Sequence, residues 1–347
     1  MQFRKQGVYF VLLAWMTGVA QAAVYMVTNS AASGPGTLAQ AVLNANGDTL
    51  PDVIQFDLPG PIPVVITPGI NLIVTSPVLI DGTTQPGYVT NIPAVWVVNT
   101  GTFNNAINLS TTNSTVRGLY LAGFEDNGVY ISGDSNRIEA CVLSSNNTGV
   151  SIIAGRGNMV GGPAASNLNV ISGNNLYGVS IIGPGAANNI VMGNWIGVSA
   201  TNSAAPHGNG SAGVRISSSH GNAIVGTGAV RQVISGNIQD GILITGGAAS
   251  NTLIQGNHIG VDATGLIAVS NGAYGVYSGG SPGMRVGGTN AIDRNVISGN
   301  GSDGVHLNSA GAEGAAVEGN YIGINASATL VLPNQSYGIR FLGAGNG

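Results

Sequence analysis

The apolar residues of this chain fall in short runs that alternate with polar ones, each run set off by Gly and Asn. In Gly213-Val214-Arg215-Ile216, period-two alternation turns Val214 and Ile216 inward and Arg215 outward, as in a half-buried strand. Runs of this kind open at Gly128, Gly149, Gly178, Gly213, Gly241, Gly275, Gly304 and Gly338. Val24 to Thr28, Asp52 to Phe56, Val64 to Ile66, Leu72 to Val74 and Val78 to Ile80 read as further short strands. One stretch breaks the rule. Between Thr37 and Asn46, Leu38, Ala41, Val42 and Ala45 recur at helical spacing, Thr37 is placed to cap the start, and Gly47 ends it.

The runs are locked to a period. Gly193-Asn194-Trp195-Ile196-Gly197 returns as Gly256-Asn257-His258-Ile259-Gly260 and Gly319-Asn320-Tyr321-Ile322-Gly323, at steps of 63 residues. Asn169 to Asn174, Gln232 to Asn237 and Asn295 to Asn300 keep the same step. Markers sharing one step mean a stack of repeats rather than a globular core. Two Gly-Val or Gly-Ile marks fall in each unit, so the unit is two coils. Stacking lays each inward Val or Ile on its counterpart, and it makes Asn194, Asn257 and Asn320 a ladder of structural amides. The helix is expected to cover the first layer as a cap. Residues 23–90 then form the cap and first strands, and 91–347 the repeats, ending mid-coil. An uncapped last coil predicts either a fragment of a longer product or self-association through that end.

Three segments carry a resemblance: Gly-Thr-Leu-x-x-Ala at the helix, Asp52-x-Ile54-x-Phe56, and Asp81-Gly82-Thr83-Thr84-Gln85-Pro86-Gly87-Tyr88. With the Asn-Val-Ile-Ser-Gly-Asn repeats, they resemble secreted bacterial right-handed parallel β-helix proteins of pectate-lyase-like architecture. The resemblance implies an all-β solenoid with an N-terminal capping helix. It implies no one reaction, because that architecture carries lyases, glycosidases, esterases and structural proteins. One departure is Ala39, which stands where such chains usually have Arg.

Composition narrows the function classes. Met1 to Ala22 reads as a secretory leader, with Arg4 and Lys5 ahead of an apolar stretch and Ala20-Gln21-Ala22 as the cleavage site. That places the protein outside the cell or on its surface, with no membrane span. Beyond the leader there is no Lys, and eight Arg face 14 acidic groups, a net charge of −6. Such a surface cannot neutralise a phosphate backbone, which excludes nucleic acid as a partner. Cys141, the single cysteine, aligns with Asn257 and Leu119, so it reads as packing.

The repeats also judge the candidate chemistry. His258 aligns with Trp195 and Tyr321, His306 with Ser180 and Leu243, and Asp262 with Ser199 and Asn325, which reads as a turn cap rather than a calcium ligand. No metal or other cofactor is predicted. Ser219-His220-Gly221 faintly resembles the His-Gly segment of polygalacturonase-like glycosidases, but their Asn-Thr-Asp, Asp-Asp and Arg-x-Lys segments are missing. Carboxylate groupings at Glu125-Asp126 with Asp134 and Glu139, or Asp293 with Asp303, and Arg137 beside Glu139, read as exposed charges. Two outward columns remain. One brings Arg215, Tyr277 and Arg340 into a row, and the other follows the Asn ladder through Trp195, His258 and Tyr321. Flat rings beside Arg suit a polysaccharide. The leading reading is a structural or adhesive β-helix, or one that binds polysaccharide or a surface glycan. The alternative is a lyase or glycoside hydrolase acting on an acidic polysaccharide.

Overall fold

A computed structural model describes residues 21–342 apart from 102, 229 and 309–311. Residues 1–20 of the expected leader, and the last five residues, lie outside the described part. No helix among the described residues is long and apolar enough to cross a membrane.

The chain winds as a right-handed parallel β-helix of three sheets, with 11, 10 and 10 strands, and every strand pair is parallel. Each coil visits the sheets in the same order. The first sheet starts with Val24–Val27 and Asp52–Phe56 and ends with Ala316–Glu318. The second runs from Val64–Ile66 to Tyr321–Ile322, and the third from Leu72–Val74 to Ile339–Leu342. In the third sheet Val179, Val214, Ile242, Val276 and Val305 lie in register, in coils of alternately longer and shorter contour. That alternation is the 63-residue unit of two coils. Strands on either side of residue 90 share one sheet, Val64–Ile66 pairing with Val95–Val98.

Burial follows the alternation. Val214, Ile216, Ile242, Ile244 and Val276 are fully buried in one continuous aliphatic core, while Arg215 and Tyr277 point out of it. Burying each such side chain is worth about 1.5–3 kcal/mol. The helix, Leu38–Ala45, is capped by Thr37, whose Oγ1 accepts the Gln40 amide at 3.2 Å. It buries Leu38, Ala41, Val42 and Ala45 over the first coil, and Ala39 as well.

Amide ladders run down all three corners, one more at each turn of the chain than the Gly-Asn pairs alone announce. Asn194 links upward to Asn169 and downward to Gln232, and Asn257 continues to Asn295 and Asn320. A second ladder joins Asn174, Asn209, Asn237, Asn271, Asn300 and Asn334, and a third Asn158, Asn189 and Asn222. Most of these side chains accept a backbone amide of the coil before, as Gln232 does from Asn194 N and Asn295 from Asn257 N, so groups that turn away from the sheets stay bonded while buried. Gly193, Gly256 and Gly319 precede this corner with φ of +67°, +68° and +68°, where a side chain would be strained. One rung is broken. Gln232 is a methylene longer than Asn, and it leaves its own Nε2 and the facing Asn257 Oδ1 buried without partners.

The Asp81–Gln85 segment is structural. Asp81 caps a short 3-10 turn through the Thr83 amide, and Gln85 bonds both Leu58 N and Leu58 O, extending the pairing of the coil before. At the far end of the described stack, Ile339 and Phe341 occupy inward register positions but are 49% and 61% exposed.

Candidate functional site

The outer face of the third sheet carries the first of the two columns. Ser180, Arg215, Leu243, Tyr277, His306 and Arg340 lie in register on consecutive strands, as alternation requires. Three residues before each of the last four stands a second column, Asp240, Tyr274, Asp303 and Tyr337, stacked by backbone bonds from Gly213, Gly241, Gly275 and Gly304. The glycines are obligatory here. A Cβ at Gly275 would lie 2.6 Å from Gly304 O and 2.7 Å from Ile297 Cγ2.

The two columns meet at His306. Its Nδ1 lies 2.7 Å from Asp303 Oδ2, and the Tyr274 and Tyr277 rings stand 4.6 and 5.3 Å from the imidazole, centroid to centroid. Asp303 is fully buried and His306 is 4% exposed. Burial pushes the Asp303 carboxyl upward, but bonds from His306, the Tyr337 amide and the Ser336 hydroxyl outweigh it and hold it below the usual carboxylate range. An ionised Asp303 only accepts, so His306 donates its Nδ1–H to it, and in the neutral form of the ring the lone pair lies on Nε2. Asp240 Oδ1 accepts the Tyr274 amide at 3.1 Å, and burial raises its carboxyl instead. Cations flank the cluster: Arg340 stacks over Tyr337 at 5.3 Å, and Arg215 over Tyr177 at 5.1 Å. Arg215, Tyr277 and Arg340 thus share one open face, with Leu243 and His306 between them.

The second column meets a different environment. Trp195, His258 and Tyr321 face outward from the second sheet, alternating with Val233 and Val296. Hairpins closed at Val198–Pro206, Val261–Ala268 and Ile324–Val331 follow these strands. Ala200 and Ala204 of the first pack, as Trp195 does, against the buried Val142, Val170 and Val233 of this face and their neighbours, and the second leaves His258 6% exposed, its Nδ1 3.1 Å from Asp262 O. Burial is the main influence on that imidazole and lowers its pKa. Tyr321 lies partly buried beneath the Arg294 guanidinium, 4.3 Å from the ring centre. These three residues therefore line a packed layer under loops, apart from the open face.

The remaining candidates have structural partners. Asp262 Oδ1 accepts the Leu266 and Ile267 amides at 3.0 and 3.1 Å, as Asn325 Oδ1 does those of Thr329 and Leu330. Cys141 is buried, its Sγ 3.3 Å from Glu139 O, and burial pushes the thiol up to about 12. Arg117 bridges Asp81 at 2.5 Å and Glu139 at 4.0 Å on the first sheet, and Arg137 reaches Glu139 at 3.6 Å. Asp126 accepts from Asn104, Asp134 from the Arg156 amide, and Asp293 from Asn290. His220 is exposed. Among the described residues no three His, Cys, Asp or Glu side chains converge as a metal site.

The Asp303–His306 pair is what repeat comparison passed over. Ser180 and Leu243 at the same position made His306 look like a filler. The available signal was local: in Asp303-Gly304-Val305-His306, an acid stands three residues before a histidine, across the glycine that leads into the strand Val305–Asn308.

No protein-family description matches the chain, and no curated protein matches its sequence. Solved structures do resemble it. The A-module of the Azotobacter vinelandii mannuronan C-5 epimerase AlgE4 aligns with a TM-score of 0.50 at 14% identity, over 92% of this chain and 96% of that one. An alginate lyase from Paenibacillus sp. str. FPU-7 aligns at 0.44 and 15%, over 92% and 99%. The pectate lyase Pel9A aligns at 0.41 and 16%, over 94% and 78%. At these identities the likeness is one of fold.

Proposed function

We propose that this β-helix is an exported protein that acts on an acidic polysaccharide laid along the outer face of its third sheet, with His306 as the proton-transfer group. The observation that carries the reading is the buried Asp303–His306 pair on the same face as Arg340 and Arg215. It is in keeping with a fold shared with proteins described as an epimerase and lyases of uronate polymers. Export rests on the leader read in residues 1–22.

The chemistry follows from the groups present. Arg340, one strand spacing from His306, about 4.8 Å, pairs with a uronate carboxylate and so acidifies the adjacent C–H. His306 Nε2 takes that proton, while ionised Asp303 stabilises the imidazolium. The electron pair left on carbon either forms a double bond to the neighbouring carbon as that carbon's glycosidic C–O bond breaks, the leaving oxygen taking a proton from the imidazolium or water and giving an unsaturated end, or recovers a proton from water on the opposite face. Because His306 is 4% exposed, Tyr274 or Tyr277 must turn aside for Nε2 to touch a sugar.

Both outcomes share one test. Incubation with alginate, polygalacturonate and other polyuronates in deuterated water is expected to place deuterium beside the carboxylate or to release unsaturated ends. Neither product from any of them would remove the reading. The burial of His306 favours a second reading, binding without turnover by a structural or adhesive protein; retention on a polyuronate column with no product would select it.

A further inference from the structure

Given an acidic polysaccharide on the third-sheet face, as proposed above, we infer that its carboxylates are sparse: it is a heteropolysaccharide in which neutral sugars separate the uronates. Along the outward column the cations stand far apart. Arg215 and Arg340 lie in register four strand spacings from each other, about 19 Å. Leu243, Tyr277 and His306 fill the positions between them. Neither guanidinium leans inward, since Arg215 lies over Tyr177 of the coil before and Arg340 over Tyr337. The earlier part of the column, from Ile73 through Asn108, Tyr130, Ser151 and Ser180, holds no cation at all. A cavity of about 250 Å³ beside Asn108 is lined by four asparagines and Asp126. Amides and a carboxylate pair with sugar hydroxyls and give a ligand carboxylate no counter-charge.

Between the two arginines the face carries acid instead. Asp240 and Asp303 occupy equivalent places 63 residues apart. Each Oδ1 accepts a tyrosine amide, from Tyr274 at 3.1 Å and from Tyr337 at 3.0 Å. Their second oxygens differ. Asp303 Oδ2 meets His306, whereas Asp240 has Leu243 three residues on, and among the described residues no side chain donates to it. An extended pyranoside chain advances by about one strand spacing per sugar, so a polyuronate on this column sets roughly three carboxylates between the arginines. A two-fold twist turns the outer two away, but the middle one still faces Tyr277, with no guanidinium beside it. A carboxylate brought there is desolvated near Asp240, a like charge that disfavours it. Neutral sugars suit the same stretch, because their C–H faces pack on the half-buried Tyr274 and Tyr277 rings and bring no charge to Asp240.

Isothermal titration of the whole protein tests this with short fragments of equal length from gellan, polygalacturonate and alginate. In gellan neutral sugars separate the uronates; in the other two every sugar carries a carboxylate. Polyuronates still offer Arg340 a carboxylate and bind, but the gellan fragment should bind roughly tenfold or more tightly. Leu243→Arg adds a cation between the two arginines, at a half-buried outward position whose neighbour in register is already Arg215. It should bring polyuronate binding up to that of gellan. Asp240→Asn should move it the same way by a smaller step. Polyuronates that bind the wild type as tightly as gellan, or a gellan preference untouched by both substitutions, would overturn the inference and leave the acidic-polysaccharide face standing. Binding of none of the three would overturn both.

Discussion

His258 and His306 begin alike and end differently. Both stand on outward positions of a strand, both are nearly buried, and both replace other residue types in equivalent coils. On the second sheet a hairpin closes over His258 and offers its ring a backbone carbonyl. On the third, His306 meets a buried carboxylate, two tyrosine rings and a neighbouring arginine. A carbonyl fixes an imidazole in place, whereas a carboxylate also stabilises its charged form. Outward position alone does not make a site; what covers the position decides whether a ring is packing or chemistry.

Both faces hang on one core, so the change that removes both together is the largest. Val214→Asp puts an unpaired charge at a fully buried position between both neighbouring coils. It should cost on the order of 5 kcal/mol or more and leave little folded protein by circular dichroism. The contrast itself is broken or kept by His306→Ala and His258→Leu. The first should lower turnover of a responsive polyuronate by about 10²–10⁴ with a small change in melting temperature. The second should leave turnover near wild type, and equal losses from both would erase the distinction.

The ladders give a subtler test. Asn295 joins Asn257 above to Asn320 below, so Asn295→Ala should destabilise by about 1–3 kcal/mol. Gln232→Asn should run the other way, gaining about 1 kcal/mol in urea unfolding by pairing the orphaned Asn257 oxygen. On the open face, Arg215→Ala or Arg340→Ala should weaken retention on an acidic glycan and reduce its salt sensitivity. The smallest effect is one of pH. Because burial lowers the folded pKa of His258, its contribution to stability is present above the unfolded value near 6.5. That contribution is lost as pH falls below it, since the unfolded chain then binds the proton more readily. Melting temperature should drop more steeply with acid in wild type than in His258→Leu.

Architecture was legible in the sequence because a solenoid repeats its reasons. Val214 against Ile242, Asn194 in line with Asn257, and Asp262 matched by Asn325 obey local rules that repeat along the stack, so spacing alone finds them, though not the rungs Gln232 and Asn295 that lie between the ladder amides. The open column was legible too, through alternation at Arg215 and Arg340. What spacing could not give is cover. Whether a hairpin folds back over a ring such as His258 depends on loop residues that obey no period shared by the whole chain. His306 was hidden by the same method that explained Cys141: comparing coils discounts whatever occurs once.

The hairpins carry one more consequence. They touch one another directly across every second coil, Ala263 N donating to Ser203 Oγ and Ala326 N to Gly265 O. Losing or gaining a single coil would keep the aliphatic core continuous yet throw these outboard contacts out of step. The natural increment of length change is therefore 63 residues, roughly 10 Å of stack. Descendants of this gene should differ in size by whole pairs of coils, like a ruler marked only at even divisions.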